Sequence, residues 1–348
     1  KMTDLKDYRD YCEQTLLRIM NTHSPSGYYK RIMPLIKELA EAQGAEVSMT
    51  RKGCAILRYE GKSHEKTVAL AAHCDTLGVM VRSLGKNGCV NFTKIGGPNL
   101  CTLDGEYCTL ITRDEREYTG TILSKSPSVH VYDDSATRKR DEENMYIRLD
   151  VNAKTVEDLK ALGISCGDYV CFDTKTTFTE SGHVKSRFLD DKASVAAILT
   201  AMKYLYDKGE KPDFDTYVIF TVFEEVGHGA SWLPEGISEL LAVDMGCIGL
   251  DLTCTEYDVS ICVKDSSGPY DYEMTRRLMT LAEKNGISYA ADVYPHYGSD
   301  VGAALRAGYD VKGALIGTGV HASHGMERTH MDGMKNTIAL IIAYLTQN

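Results

Sequence analysis

Beyond residue 190 the chain alternates short apolar strands with amphipathic helices, and this alternation constrains the fold more than any other feature. Residues 217–223 are rich in β-branched and aromatic side chains, whereas residues 192–206 carry apolar side chains at helical spacing. Before residue 75, two helix-like segments precede a continuously apolar run that is typical of a buried strand. Strands and helices in alternation form a mainly parallel sheet with flanking helices. We therefore expect an α/β fold.

Residues 76–186 break this pattern. Strand-like pieces there alternate with Gly and Asp turns, and residues 86–88 form a hairpin-turn signal. A chain of 348 residues has room for about two domains. The sequence therefore predicts a catalytic α/β domain from residues 1–75 and 187–348, interrupted by a β-rich domain at residues 76–186.

Charge and apolar content exclude several classes of partner. The formal net charge of −10 would repel a polyanion, so we expect no nucleic acid. The apolar stretches fall far short of the roughly 20 residues that a membrane span needs, and the N-terminal residues lack the apolar core of a signal peptide. The eleven cysteines include no C-x-x-C pair, which indicates reduced thiols and a cytoplasmic location.

Residues of metal-ligand type recur where predicted strands end, and sites in α/β sheets form beyond the carboxyl ends of strands. His73 and Asp75 end an apolar strand and share a face of an extended chain, which places Asp75 to orient His73. Asp190 and Asp191 stand directly before a helix, where a single N-cap residue would suffice.

Three further places supply carboxylates and imidazoles. Glu224 and Glu225 follow the strand at residues 217–223, and adjacent carboxylates repel one another unless cations neutralise them. Asp251 lies inside a predicted apolar strand at residues 247–252, where an uncompensated carboxylate is costly. Three histidines fall within ten residues, and their spacing does not select one of them as a ligand. They are His321, His324 and His330.

Each pattern alone also fits an ordinary hydrogen bond or a solvated loop, but together they form the inventory of a two-metal site. Two imidazoles, two terminal carboxylates and one bridging carboxylate favour zinc, with cobalt or manganese as alternatives. Two metals about 3.5–4 Å apart activate water and clamp a tetrahedral intermediate. Glu224 is left over as a general base.

The motifs AAHCDTLGVMV, SRFLDDKAS, VFEEVGHGAS and IGLDLT, in this order, resemble those of the M42 family of metallo-aminopeptidases over essentially the whole chain. The stretch at residues 96–122 resembles the β-barrel that this family carries as an insertion. The resemblance implies that Asp190 bridges two metal ions and that His73 and Asp251 complete one site. Glu225 and a C-terminal histidine would complete the other.

The same resemblance assigns Glu224 as the base and Asp75 as the partner of His73. Counting back from the final helix favours His324 as the last ligand, with His321 and His330 as alternatives. The implied enzyme removes N-terminal residues from short peptides by means of a water that bridges the metals. It would assemble from dimers through the inserted domain, up to a dodecamer.

Departures from the family pattern indicate a divergent branch with a specialised substrate. Lys192 and Ser194 replace an Arg and a Gly, the loop at His228 is one residue shorter, and His324 precedes Glu327 by three residues rather than four. A related dizinc amidohydrolase or deacylase is the alternative enzyme. A non-catalytic scaffold is a third possibility, although a scaffold would not need both carboxylates of the Glu pair.

Overall fold

The computed structural model of the chain describes residues 4–347. The α-helices in this part of the chain are α1 (Arg9–Met20), α2 (Ile32–Glu41), α3 (Val156–Ala161), α4 (Leu189–Lys208), α5 (Tyr272–Asn285), α6 (Asp300–Arg306) and α7 (Met331–Thr346). The strands are β1 (Glu46–Met49), β2 (Ala55–Tyr59), β3 (Ser63–His73), β4 (Gly78–Leu84), β5 (Cys89–Ile95), β6 (Tyr107–Ile111), β7 (Glu117–Ser124), β8 (Met145–Leu149), β9 (Tyr169–Phe172), β10 (Thr177–Phe178), β11 (His183–Ser186), β12 (Phe214–Thr221), β13 (Ile237–Val243), β14 (Gly246–Cys247), β15 (Val259–Asp265), β16 (Gly268–Pro269), β17 (Tyr289–Val293), β18 (Lys312–Val320) and β19 (Glu327–His330).

The chain divides into two compact units. One comprises the chain up to Asp75 and from Lys175 onward, and the other is the continuous segment Thr76–Thr174. The sequence placed the second boundary at residue 186, and the structure places it at 174. The difference arises because β10 and β11 form a three-stranded sheet with β19, which belongs to the first unit.

The first unit is built on a ten-stranded sheet, in which eight strands follow the order β1-β2-β12-β3-β13-β18-β15-β16, β14 pairs with β18 and β17 pairs with β15. Its four central strands β12, β3, β13 and β18 run parallel, and the register pairs Thr221 with His73 and Val243 with Ile316. The outer pairs β1-β2, β2-β12 and β15-β18 are antiparallel. The expected α/β fold is confirmed, and the carboxyl ends of four strands meet at one edge of the sheet.

Helix α4 packs against this sheet and has the Asp pair in its first turn. It is buried on nearly every side, as expected for a helix that is apolar all round. Asp190 and Asp191 have non-helical backbone angles, so the regular helix begins only after them. At the other end, Gly209 adopts the left-handed conformation (φ 62°) that commonly ends a helix. The two carboxylates therefore stand at the start of a fixed element.

The second unit is a closed antiparallel barrel with the strand order β4-β5-β8-β7-β6-β9. Its first and last strands, β4 and β9, pair with each other, with Val79 opposite Val170. Alternate side chains fill the interior, and these include Val79, Val81, Phe92, Ile147 and Val170. Among residues 4–347, no helix combines the length and the apolar character that a membrane crossing needs.

Candidate active site

Four chain segments converge beyond the carboxyl ends of the parallel strands. His73 ends β3, a 3-10 turn at Glu224–Val226 follows β12, Asp244 follows β13, and the loop after β18 carries His324. The last three of these segments and the start of α4 line a cavity of about 410 Å³. Its walls include Asp190, Glu224, Glu225, Asp244 and His324, together with residues 296–300, Ala303 and Arg306.

The Asp190 carboxylate lies between two imidazoles. Its Oδ1 is 3.0 Å from Nε2 of His73, and its Oδ2 is 3.3 Å from Nε2 of His324. Glu225 approaches the same histidine, with its Oε2 3.6 Å from Nε2 of His324. The structure thus brings four of the predicted metal ligands into one cluster. A carboxylate flanked in this way has one oxygen for each of two cations.

The other ring nitrogen of His73 is fixed by the main chain. Its Nδ1 lies 2.8 Å from the carbonyl oxygen of Asp75 and 3.6 Å from the Asp75 carboxylate. Because a carbonyl oxygen only accepts, Nδ1 carries a proton, and Nε2 faces the acidic cluster. The sequence expected Asp75 to orient His73, and the contact is made by the Asp75 carbonyl oxygen.

The Asp75 carboxylate instead holds the Glu pair. The backbone N–H of Glu224 donates to its Oδ1 at 3.1 Å, and that of Glu225 donates to its Oδ2 at 3.2 Å. Gly229 closes the same turn from the other side. A Cβ at that position would lie 2.3 Å from Asp300 Oδ1 and 3.1 Å from the backbone nitrogen of Glu224. Only glycine fits there.

Asp251, expected from the sequence as a ligand, does not lie in the cluster. The strand predicted at residues 247–252 ends at Cys247 as the short β14, and Asp251 sits exposed in a turn with φ 61°. Asp244 occupies the expected place instead. It directly follows β13, and its Oδ2 is 3.9 Å from Nε2 of His73. The apolar run at residues 240–243 before Asp244 was the signal that could have identified it.

The three candidate histidines separate clearly in the structure. His324 joins the cluster, whereas His321 is exposed and His330 caps α7, accepting from the Asp332 N–H and contacting the Ser181 carbonyl. The buried carboxylate of Glu327 links His324 to the start of α4. It accepts from the backbone N–H of His324 and from that of Asp190, each at 3.0 Å.

The shortened spacing between His324 and Glu327 is accommodated by the loop backbone. Ala322 (φ 59°) and His324 (φ 63°) both adopt left-handed conformations, which side chains other than glycine occupy less readily. These two residues turn the chain so that the imidazole reaches Asp190 while its own N–H reaches Glu327. The one-residue deletion is therefore absorbed in the backbone and does not displace the imidazole from the cluster.

The electrostatics of the cluster show an excess of buried negative charge. Burial, opposed by His73 but reinforced by Asp244, holds the pKa of Glu224 well above its usual range. Burial and Asp190 do the same for the pKa of Glu225. The pKa of Asp244 rises to about 7, from burial and then Asp190. Burial opposes protonation of His73, but Glu224 and Asp190 hold its pKa well above the ordinary value.

Two observations show that the cluster fits divalent cations. Buried carboxylate oxygens of Asp191 (Oδ1) and Glu225 (Oε1) have no hydrogen-bond partner. Groups of possible ligand atoms within 4.8 Å of one another occur twice in the described part of the chain, and both include His73. One group adds Asp191 and Asp244, and the other adds Asp190 and Glu225. Unpaired oxygens beside imidazoles are the donors that zinc and similar ions take.

Comparisons with known proteins identify the family of the chain. The profile of the M42 glutamyl aminopeptidase family matches residues 53–340. YhfE of Bacillus subtilis (strain 168), named provisionally as an aminopeptidase, is 40% identical over 95% of this chain and 96% of its own. The lysyl aminopeptidase of Pyrococcus furiosus is 25% identical over 62% of this chain and 60% of its own.

Solved structures share the fold. The aminopeptidase APDkam598 from the archaeon Desulfurococcus kamchatkensis has a TM-score of 0.88 and 24% identity, covering 98% of this chain and 96% of that one. The TET1 peptidase of Pyrococcus horikoshii, which can assemble into a tetrahedron or a large octahedral shell, has a TM-score of 0.84 and 23% identity, with 97% and 100% covered.

The fold and the site define a hydrolase that acts on peptide bonds. The chain belongs to the M42 family of peptidases, as its motifs predicted.

Proposed function

We propose that this chain is an aminopeptidase that removes N-terminal residues from short peptides with the help of two divalent metal ions. The observation that carries the proposal is the position of the Asp190 carboxylate, with one oxygen toward His73 and the other toward His324. A bridging carboxylate between two imidazoles serves two cations better than one, because each oxygen has its own partner.

The ligands divide into two sets that share Asp190. His73 and Asp244 would hold one ion, and Glu225 and His324 would hold the other. Bound divalent ions would supply Lewis-acid polarisation of the scissile carbonyl and activation of a water. Zinc is favoured, with cobalt or manganese as alternatives, because the donors are imidazole nitrogens and carboxylate oxygens.

Glu224 is proposed as the general base. Neither ligand group in the described residues includes it, although its Oε2 lies 3.5 Å from Nε2 of His73 and it lines the cavity. Burial raises its pKa, so the carboxylate is suited to taking a proton from the attacking water. It would then deliver that proton to the leaving amine. The backbone bond to Asp75 holds it in place for both steps.

Assembly into a homo-oligomer of dimers, of which a dodecamer is one form, is part of the proposal. The TET1 peptidase shares the fold and forms closed shells. The inserted barrel unit of this chain also exposes apolar side chains on one loop, with Val129 75% and Val131 71% exposed. Contact with another copy would remove such side chains from water. Light scattering at micromolar concentration tests this, and a monomer there would contradict it.

The test of the function compares free and blocked peptides. A panel of short peptides, each with a free or an acetylated N-terminus, is incubated with the protein before and after dialysis against a chelator. We expect hydrolysis of the free peptides alone, loss of activity after chelation, recovery with zinc, cobalt or manganese, and close to two metal ions per chain by elemental analysis. Equal hydrolysis of blocked peptides would favour the amidohydrolase, and a chain without metal or activity would favour the scaffold.

A further inference from the structure

The turn between α1 and α2 contacts both strand ends that carry the central site residues. Ser24 donates its hydroxyl to the carbonyl oxygen of Cys74 at 2.7 Å, and the backbone N–H of Gly27 donates to the carbonyl oxygen of Val222 at 3.4 Å. Between them, Ser26 donates its hydroxyl to Oδ2 of Asp75 at 2.5 Å. One turn of the chain thus holds the ends of β3 and β12 together.

The Ser26 hydrogen bond differs from the other two because its acceptor is a carboxylate that accepts two further hydrogen bonds. Oδ2 of Asp75 also accepts the backbone N–H of Glu225, and Oδ1 accepts that of Glu224. The Asp75 side chain is 1% exposed and Ser26 is 6% exposed, so water does not replace a lost donor easily. The hydroxyl therefore limits rotation of the one carboxylate that fixes the main chain of the Glu pair.

We propose that Ser26 is a positioning residue, whose hydroxyl holds Asp75 so that Glu225 presents its carboxylate beside His324 and Glu224 stays directed into the cavity. The inference rests on the proposed function, because it concerns how the chain holds a metal ion. Without the hydroxyl, the Asp75 carboxylate accepts hydrogen bonds only from the backbone N–H groups of Glu224 and Glu225. It can then rotate together with the 3-10 turn at Glu224–Val226, which it no longer restrains. Substitution of a residue that orients a metal ligand without binding the metal itself typically lowers metal affinity or activity about 10–100-fold.

Ser24 provides a matched control. It lies on the same turn, it is 2% exposed, and its hydroxyl is also bonded, but to a main-chain carbonyl that no site residue shares. Ser24→Ala and Ser26→Ala therefore remove the same group from the same turn. If the turn matters only for packing, the two variants behave alike. If the proposal holds, only Ser26→Ala changes the metal site.

The experiment titrates metal-free full-length protein with Co²⁺ alone by calorimetry and records the visible cobalt spectrum. We expect Ser26→Ala to bind one of two equivalents about 10–100-fold more weakly than wild type, with an altered spectrum and a lower kcat at saturating metal. Ser24→Ala should stay within about twofold. Ser26→Thr, which keeps the hydroxyl, should recover the wild-type titration.

Two outcomes would overturn the inference. One is a folded Ser26→Ala protein with two wild-type equivalents and an unchanged spectrum, and the other is an equal loss in Ser24→Ala. If Ser26→Ala does not fold, Ser26→Gly also removes the hydroxyl, and wild-type cobalt affinity in that variant is equally decisive. A wild-type protein that binds no cobalt defeats the proposed function itself, which separates the two failures.

Discussion

The two ends of strand β13 each carry a buried carboxylate in opposite surroundings. At the beginning, Glu239 accepts from Arg277 at 2.5 Å, from Lys66 at 3.2 Å and from the Tyr344 hydroxyl at 3.0 Å. Five residues later, roughly 17 Å along an extended chain, Asp244 faces the other acids of the cavity, and no salt bridge in the described residues joins it to a lysine or an arginine.

Their pKa values move in opposite directions for this reason. Burial acts to raise the pKa of Glu239, but Arg277, Lys66 and the Tyr344 hydroxyl together outweigh it, and the net shift is downward. Burial and Asp190 raise the pKa of Asp244 to about 7. Breaking up a buried carboxylate's ion pairs destabilises the fold, whereas a buried carboxylate among like charges is costly unless a cation or a proton neutralises it. The same strand therefore has a structural end and a functional end.

The largest expected effect is at the acidic cluster that Asp244 faces, where Glu224→Gln keeps the shape of the side chain and removes the proposed base. We expect kcat to fall by about 10²–10⁴-fold, equivalent to about 3–5 kcal/mol of barrier, while both metal ions stay bound. Steady-state kinetics and elemental analysis on the same preparation measure this. A near-normal kcat would show that the base is another group.

Glu225→Gln is the companion variant and should show the reverse pattern. It should weaken one metal site, and added metal should partly restore activity, because the lost group is a ligand. Metal loss from Glu224→Gln together with full retention in Glu225→Gln would mean that the two roles are exchanged.

The next effect separates Asp244 from Asp251. Asp244→Asn should lower the affinity for one ion by at least about 10–100-fold, since even groups outside the ligand set have effects of that size. It should also raise the free energy of unfolding of the metal-free protein, because it removes one of several repelling charges. Asp251→Asn is the control at an exposed turn and should change neither quantity. Chelator competition and chemical denaturation measure both variants, and a metal defect in Asp251→Asn alone would restore the ligand expected from the sequence.

The smallest effect is at the structural end of the strand. Glu239→Gln should lower the free energy of unfolding by about 1–3 kcal/mol at pH 7, with or without metal, because hydrogen bonds to a charged partner are lost. The pKa of Glu239 is lowered by folding, so its contribution is complete above the unfolded value of about 4.3 and is lost as the pH falls toward the folded value. Denaturation at pH 7 and at pH 3 should therefore show a difference between wild type and variant that shrinks in acid. A difference that grows in acid would contradict the pairing.

The sequence predicted the parallel sheet because β3, β12 and β18 contain apolar runs, and polar pairs follow the ends of β3 and β12. The strand predicted at residues 247–252, which contains Asp251, was wrong, because this run is as apolar as a strand but breaks after Cys247 into a turn. Asp244 was missed because β13 contains Glu239, a charge that tertiary partners neutralise. No pattern along the chain shows such partners.

The choice among the three histidines also depended on the fold. His324 is selected by backbone conformation, since left-handed angles at Ala322 and His324 aim the ring at Asp190. The role of Asp75 was similar, because its carbonyl oxygen lies 2.8 Å and its carboxylate 3.6 Å from Nδ1 of His73, and only the fold distinguishes the two. Ser26 carried no signal of its own, because a serine in a Ser-Pro-Ser-Gly turn is ordinary.

The pairing of β4 with β9 has a consequence for the order of folding. The insertion is about 100 residues long, and its first and last strands are neighbours, so the folded barrel brings the two ends of the insertion together. Between β3 and β12, the folded barrel shortens the flexible connection from roughly 140 residues to roughly 45, which by the logarithmic rule lowers the entropic cost of closure by about 1 kcal/mol. We expect the barrel to form first and to speed the pairing of β3 with β12. Pulse-labelled hydrogen exchange during refolding measures this order, and protection of the β3 amides before those of the barrel would exclude it.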